Sequence, residues 1–213
     1  MNTVAIVPIK LTNERLPGKN IKLLAGKPLI SYILNTLSTI EEISEIYVFC
    51  SDERIKEFLP LNVRFLQRPQ WLDEPTSNFS QIFEAFKDKI DADVYLYAHA
   101  TAPFISATTI RECLNALKNG YDSAFTAVKI QDFLWKENEP LNFDASDIPR
   151  SQDLQAIFRE TSGIYVFEKK VFEKYHRRVG KKPYIKEVGF REAIDINYPE
   201  DFQIAEKFVQ LED

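Results

Sequence analysis

Three cations, Lys10, Arg15 and Lys19, fall within ten residues on one polar stretch, directly after the apolar run of residues 4–9. A nucleoside triphosphate needs such a loop. Backbone N–H groups take its oxygens and cations offset its charge. Neither G-x-x-x-x-G-K-[ST] nor G-x-G-x-x-G occurs in the chain, so the Walker and nicotinamide readings fall away. A plain solvated loop stays open as the alternative. His99 closes a second apolar run, at 93–98. It reads either as a hydrogen-bonded core histidine or as a base for a substrate hydroxyl. Near the end, Asp195 and Asn197 flank Ile196. On a strand, residues two apart share a face.

These residues need elements to carry them. Short apolar runs at 4–9, 46–50, 63–66, 93–98, 123–128, 163–167 and 192–196 predict strands, the first of them buried and parallel. Helices are predicted from Pro28 through Ser38, after the Ser51-Asp52 cap up to Pro60, at 77–89, from Ser106 to Asn119-Gly120, at 171–175, and from Pro199 onward. Strand and helix alternate, which predicts an α/β fold: a doubly wound, mostly parallel sheet. Its ligands belong beyond the carboxyl ends of the strands. Residues 129–160 are polar and without clear period, and read as one insertion, a lid or an oligomer arm, in a single domain spanning 1–213.

The chain has 213 residues, 45% of them hydrophobic and 28% charged. That composition is globular and long enough for one large core. No run of 18 apolar residues occurs, so no membrane span is expected. Met1-Asn2-Thr3-Val4 lacks a signal-peptide pattern. The two cysteines, Cys50 and Cys113, sit in apolar stretches and exclude a disulfide framework. The expected location is the cytoplasm. A net charge of −5 argues against a nucleic-acid-binding surface. The charge is uneven, however. Residues 10–27 hold five bases and one acid, and residues 199–213 hold five acids and one base. A basic segment in an acidic chain suggests a small anionic ligand.

Val7-Pro8-Ile9-Lys10, followed by Arg15-Leu16-Pro17-Gly18-Lys19-Asn20, resembles the N-terminal signature of the sugar-acid cytidylyltransferases, the CMP-sialate (acylneuraminate) and CMP-Kdo synthetases. Their pattern is a hydrophobic strand, Pro-Ala-Arg, a Gly/Ser stretch, then Arg-Leu-Pro-Gly-Lys-Asn. Lys10 stands where the family has Arg, Asn13 where it often has Ser, and Glu14 where many sialate enzymes have Lys. Arg68-Pro69 with Thr76-Ser77 resembles a pair of motifs near the cytosine. His99-Ala100-Thr101-Ala102-Pro103-Phe104-Ile105 is similar to Gln-Pro-Thr-Ser-Pro-Leu-Arg, with Thr101 and Pro103 matching. Pro149-Arg150 and Phe158-Arg159, then Gly163-Ile164-Tyr165, resemble the Pro-Arg, Phe-Arg and Asn-Gly-Ala-Ile-Tyr region. Ala193 to Phe202 resembles Ile-Asp-Ile-Asp-x-x-x-Asp-Phe, with Asn197 in place of the second Asp. The likeness runs from about residue 4 to residue 206.

The resemblance implies a Rossmann-like nucleotidyltransferase that moves CMP from CTP to an acidic sugar and releases pyrophosphate, for surface polysaccharide synthesis. It implies catalytic roles for Lys10, Arg15 and Lys19 on the triphosphate, with Asn13, Arg68 and Thr76 also on the nucleotide. It implies His99, Thr101, Lys136 and Arg159 on the acceptor, the last two gripping its carboxylate. Mg²⁺ is expected on Asp195 and Asn197. A homodimer is expected through the 129–160 arm. Two other outcomes stay open: CMP transfer to a phosphorylated polyol or phosphonate, and a CTP-binding chain without catalysis.

Overall fold

The computed structural model describes residues 1–211. Eleven strands and five α-helices follow one another in it. They are β1 (Thr3–Ile9), β2 (Leu23–Leu24), β3 (Lys27–Pro28), α1 (Leu29–Ser38), β4 (Glu45–Cys50), β5 (Val63–Gln67), α2 (Phe79–Lys87) and β6 (Val94–Ala98). Then come α3 (Ala107–Lys118), β7 (Ser123–Ile130), β8 (Trp135–Lys136), β9 (Glu139–Pro140), β10 (Ile157–Glu168), α4 (Lys169–Tyr175), β11 (Pro183–Glu187) and α5 (Pro199–Gln210).

Seven strands form one sheet in the order β11-β7-β10-β6-β1-β4-β5. Every neighbouring pair is parallel except the two that involve β10, which runs against both β6 and β7. Alternation along the strands sends two kinds of side chain to the two faces. One face is aliphatic: Ala5, Val7, Val48, Leu96 and Val166 pack on Ile30, Ile33 and Leu37 of α1 and Ile110 and Leu114 of α3. The other is aromatic: Tyr47, Phe49, Tyr95, Tyr97, Tyr165 and Phe167 pack on Phe83 and Phe86 of α2 and Phe172 of α4. A third cluster lies beyond the sheet and joins Leu16, Leu24, Leu29, Phe104 and Ile196 to Phe202 and Ala205 of α5.

Local chemistry explains the helix ends. Asn78 caps α2 with a reciprocal bond to Gln81, and Ser106 caps α3 by accepting from the Thr109 N–H. Gly120, at φ +85°, reverses the chain after α3. Asp52 caps a short 3₁₀ turn over residues 53–58, where the sequence predicts a helix.

Three expectations need correction, and one strand goes unpredicted. Residues 192–196 are not a strand. They form a turn and an irregular stretch, touching strand-like geometry only where the Ile196 N–H reaches the Thr101 carbonyl at 2.8 Å. The sheet edge beside β7 is taken by β11 instead. The sequence hides β11 because it is a half-exposed edge strand led by Pro183, with Lys and Glu among its residues. The sixth predicted strand is the end of a longer one, since β10 begins at Ile157 and pairs Arg159 with Val128. The insertion therefore shrinks from 129–160 to the residues between Ile130 and Ile157. It carries the small hairpin of β8 and β9.

β10 changes register between Glu160 and Tyr165, and Ser162 sits there at φ +56°. Gly163 follows, with no room beside it. A Cβ added there would lie 2.8 Å from Ile105 Cδ1 and 3.0 Å from Thr126 Oγ1. Gly163→Ala should cost about 1–3 kcal/mol through overpacking, read as a lower urea midpoint at unchanged slope. An unchanged midpoint would show that the bulge has slack.

Candidate nucleotide and acceptor site

Strands β1 and β6 pair only from Thr3↔Val94 to Ile6↔Tyr97. Beyond Ile6 the next residues of β1 include Pro8, which has no N–H to give. The strands part there, at the switch point of the sheet, where chains of this topology bind ligands. A cavity of about 240 Å³ opens in the gap, lined by Pro8, Lys10, Asn13, Lys19, Arg68 and His99 among others. A second, larger cavity of about 690 Å³ lies alongside, between the bulged part of β10, the end of β11 and the segment leading into α5.

The loop after β1 is fixed from several sides. Asn20 Nδ2 donates to the Lys10 carbonyl at 3.0 Å, and Lys10 Nζ donates to the Asp73 carbonyl at 3.0 Å. Lys19 is buried at 8% exposure, and its ammonium donates to the Ile196 carbonyl at 2.8 Å and to Asn197 Oδ1 at 3.4 Å. Arg15 Nη2 donates to the same Asn197 oxygen at 3.2 Å, and its guanidinium lies over the Tyr198 ring. Burial, ahead of all else, pulls the Lys19 pKa below its ordinary value. Arg15 pulls the same way, and the carboxylates of Asp195 and Asp201 oppose.

The acidic segment is held just as firmly. Asp201 Oδ2 accepts from the backbone N–H of Asn197 at 2.9 Å and of Tyr198 at 2.8 Å, at the start of α5. Asn197 Nδ2 donates to Asp195 Oδ2 at 2.7 Å. Asp195 and Asn197 thus lie together, by side-chain contact rather than by strand pairing. On the other wall, Arg68 is 3% exposed and ion-paired to Asp73. Asp73 also takes the Ser51 hydroxyl.

Four buried side-chain atoms have no hydrogen-bond partner among the described residues: Asn13 Oδ1, Arg68 Nε, His99 Nε2 and Asp195 Oδ1. Each belongs to a residue that lines one of these two cavities. An unsatisfied buried polar group costs about 1–3 kcal/mol. Four around one pair of cavities mark a place where water or a polar ligand can complete the bonding.

The structure groups the sequence-derived residues as follows. Lys10, Asn13, Lys19, Arg68, His99 and Thr101 share the smaller cavity, and Arg159, Asp195 and Asn197 share the larger. Arg15 lines a side pocket with Lys10 and Lys19 and reaches Asn197 between the two. Thr76 is exposed and outside the lining, where Ser77 stands instead. Lys136 is exposed on the β8–β9 hairpin and lines a separate depression, so it does not join Arg159. Lys129 also lines the larger cavity, but it pairs with Phe158 while Arg159 pairs with Val128, so the two cations project to opposite faces of the ladder. Lys129 carries no sequence signal because it lies in a stretch without period. Asp73 carries none because an acid five residues from Arg68 forms no motif.

His99 is not a base poised near neutrality. Burial, helped by the charges of Arg178 and Lys19, pushes its pKa down to about 3. A neutral imidazole with a free Nε2 is a hydrogen-bond partner, while proton transfer near pH 7 needs a pKa closer to 7. The native state holds this histidine neutral until about pH 3, whereas an unfolded chain protonates it near 6.5. Stability from this group is whole above pH 6.5 and is lost as pH falls toward 3. Between about pH 6 and 4 the wild type should therefore lose stability against His99→Gln by up to ~1.4 kcal/mol per pH unit. Parallel pH curves in urea unfolding would contradict this.

The sequence model of the family described as cytidylyltransferase matches residues 4–213. N-acylneuraminate cytidylyltransferase A of Danio rerio is 28% identical over 96% of this chain and 50% of its own length. CMP-N,N'-diacetyllegionaminic acid synthase of Legionella pneumophila is 25% identical over 99% of this chain and 97% of its own. The chain spans about half the length of the first curated relatives it matches. Among solved structures, a CMP:2-keto-3-deoxy-manno-octonic acid synthetase complexed with CTP superposes with a TM-score of 0.74 over the whole of both chains, at 14% identity. That likeness shows the fold, and the family match shows the lineage: the chain belongs to the cytidylyltransferase family.

Proposed function

We propose that this chain transfers CMP from CTP to an acidic sugar of the nonulosonic or sialic-acid type and releases pyrophosphate. The observation that carries the reading is the set of four unpartnered buried polar atoms around a cation-rich loop. In this reaction an acceptor hydroxyl oxygen bonds to the α-phosphorus as the bond to the pyrophosphate oxygen breaks. The protein's part is to position the groups and to offset charge. Lys10, Arg15 and Lys19 meet the triphosphate and steady the leaving pyrophosphate. Asn13 and the Arg68 Nε address the nucleotide in the smaller cavity, and His99 offers a neutral hydrogen bond. Arg159 takes the acceptor carboxylate.

The donor set suits Mg²⁺ of one particular kind. Asp195 Oδ1 is buried and free, whereas Asn197 Oδ1 is engaged by Arg15 and Lys19. No cluster of three His, Cys, Asp or Glu able to hold a metal occurs among the described residues. Mg²⁺ keeps several waters and uses one or two carboxylates plus substrate phosphates. Asp195 would therefore hold the ion, and Asn197 would orient Asp195 and the two cations. When bound, the ion polarises phosphate oxygens.

Exposed apolar side chains on the arm between β7 and β10, Trp135, Leu141 and Ile148, support a homodimer through this arm. Two buried thiols and the use of CTP support a cytoplasmic setting, and a surface-polysaccharide pathway is the natural destination of a CMP-sugar. Pyrophosphate release, measured with each of four nucleoside triphosphates and Mg²⁺, tests the reading. The panel contains N-acetylneuraminate, N,N'-diacetyllegionaminate, Kdo, a phosphorylated polyol and a phosphonate. Turnover is expected with CTP and a sugar acid. Turnover with the phosphorylated polyol or the phosphonate alone, or none with CTP, would overturn it. Asp195→Asn should lower kcat/KM by about a hundredfold or more, since the metal contribution is several kcal/mol.

A further inference from the structure

We propose that Glu160 is a specificity-determining residue of the larger cavity. Its carboxylate accepts a hydrogen bond from a hydroxyl or acylamino N–H of the acceptor, and Tyr165 and Arg178 hold it for that task. This rests on the sugar-acid reading above. Glu160 lines the larger cavity next to Arg159, with about half of its side chain exposed. Its Oε2 takes the Tyr165 hydroxyl at 2.6 Å and lies 3.9 Å from Arg178 Nη2. Both contacts use Oε2, which leaves Oε1 for a ligand.

The support behind it is rigid. The Arg178 guanidinium stacks on the Tyr165 ring at 3.6 Å and lies 5.4 Å from the Phe79 ring. The Tyr165 ring is 6.3 Å from that of His99, so this support also backs the smaller cavity. The bulge between Glu160 and Tyr165 brings the two residues within bonding reach, five positions apart on one strand. It is locked where Thr161 Oγ1 donates to Thr126, at 3.2 Å to the carbonyl and 2.7 Å to Oγ1. Neither Tyr165 nor Arg178 lines the cavity, so both are positioning residues. Arg159 and Glu160, consecutive on β10, project to opposite sides of the strand, and each is assigned a different group of the acceptor: Arg159 its carboxylate, Glu160 its donors.

Steady-state kinetics with the sugar acid that the wild type turns over tests this. Glu160→Ala should raise the acceptor KM about ten- to hundredfold, the range for a bond to a charged group. The KM for CTP should stay where it is. Glu160→Gln keeps an acceptor oxygen and should fall between wild type and Glu160→Ala. Tyr165→Phe and Arg178→Met should each raise the acceptor KM less, and add nothing in the Glu160→Ala background. Arg178→Lys should recover part of the loss. An acceptor KM within about twofold of wild type in Glu160→Ala, judged against the usual spread of surface substitutions, would overturn the proposal. So would a parallel rise in the CTP KM, in both Glu160→Ala and Glu160→Gln. A wild type that turns over no sugar acid overturns the functional reading itself, and this proposal with it.

Discussion

One buried ammonium joins the two halves of the site. Lys19 belongs to the loop after β1, and its bonds run to the Ile196 carbonyl and to Asn197, at the other end of the chain. Burying a lysine is unfavourable unless its protons are met. Here a carbonyl and an amide oxygen meet two of them, and nearby carboxylates oppose the loss of its charge. The third apolar cluster follows the same path, since Leu16 of the loop and Ile196 pack together with Phe202 of α5. Cationic loop, acidic segment and C-terminal helix are therefore one unit. The substitution of Asn for a second acid at position 197 becomes intelligible in this setting. An amide oxygen can face two cations while its nitrogen serves Asp195, as a carboxylate cannot.

The sheet supplies the opening around this tie. Two parallel strands that separate after Ile6 leave a gap at their carboxyl ends, and the residues at its rim keep bonding capacity that the protein does not use. Tyr97, which lines the smaller cavity, is pushed up to about 12 by burial and stays a neutral wall. The bulge in β10 lines the larger of the two cavities. Its strain at Ser162, a residue without glycine's freedom at positive φ, is borne in that lining.

Much of this was legible in the residues alone. Apolar runs such as 4–9 and 46–50 announce buried parallel strands, and Ser106, by its side chain, and Gly120, by its backbone freedom, mark the two ends of α3. The cationic loop is legible because its charges are close in sequence. What escaped depends on distance or exposure. β11 is a polar edge, and edges lack the hydrophobic signal. Residues 192–196 have strand-like composition, but the place beside β7 was already filled. Lys136 and Lys129 are indistinguishable by type, and only the fold places Lys129 along the larger cavity and Lys136 on the separate β8–β9 hairpin. His99 ends a strand in either reading, and its pKa is depressed by burial first and then by Arg178 and Lys19, which lie far from it in sequence.

The proposed function requires Lys19 to complete a triphosphate site. Calorimetric titration of CTP with Mg²⁺ into the wild type and Lys19→Met, with thermal midpoints of both to confirm folding, tests it directly. One CTP per chain is expected for the wild type, with affinity lower by about ten- to hundredfold in the variant, the scale of a lost charged hydrogen bond. Equal affinity in both proteins, or no binding to the wild type, would contradict the account.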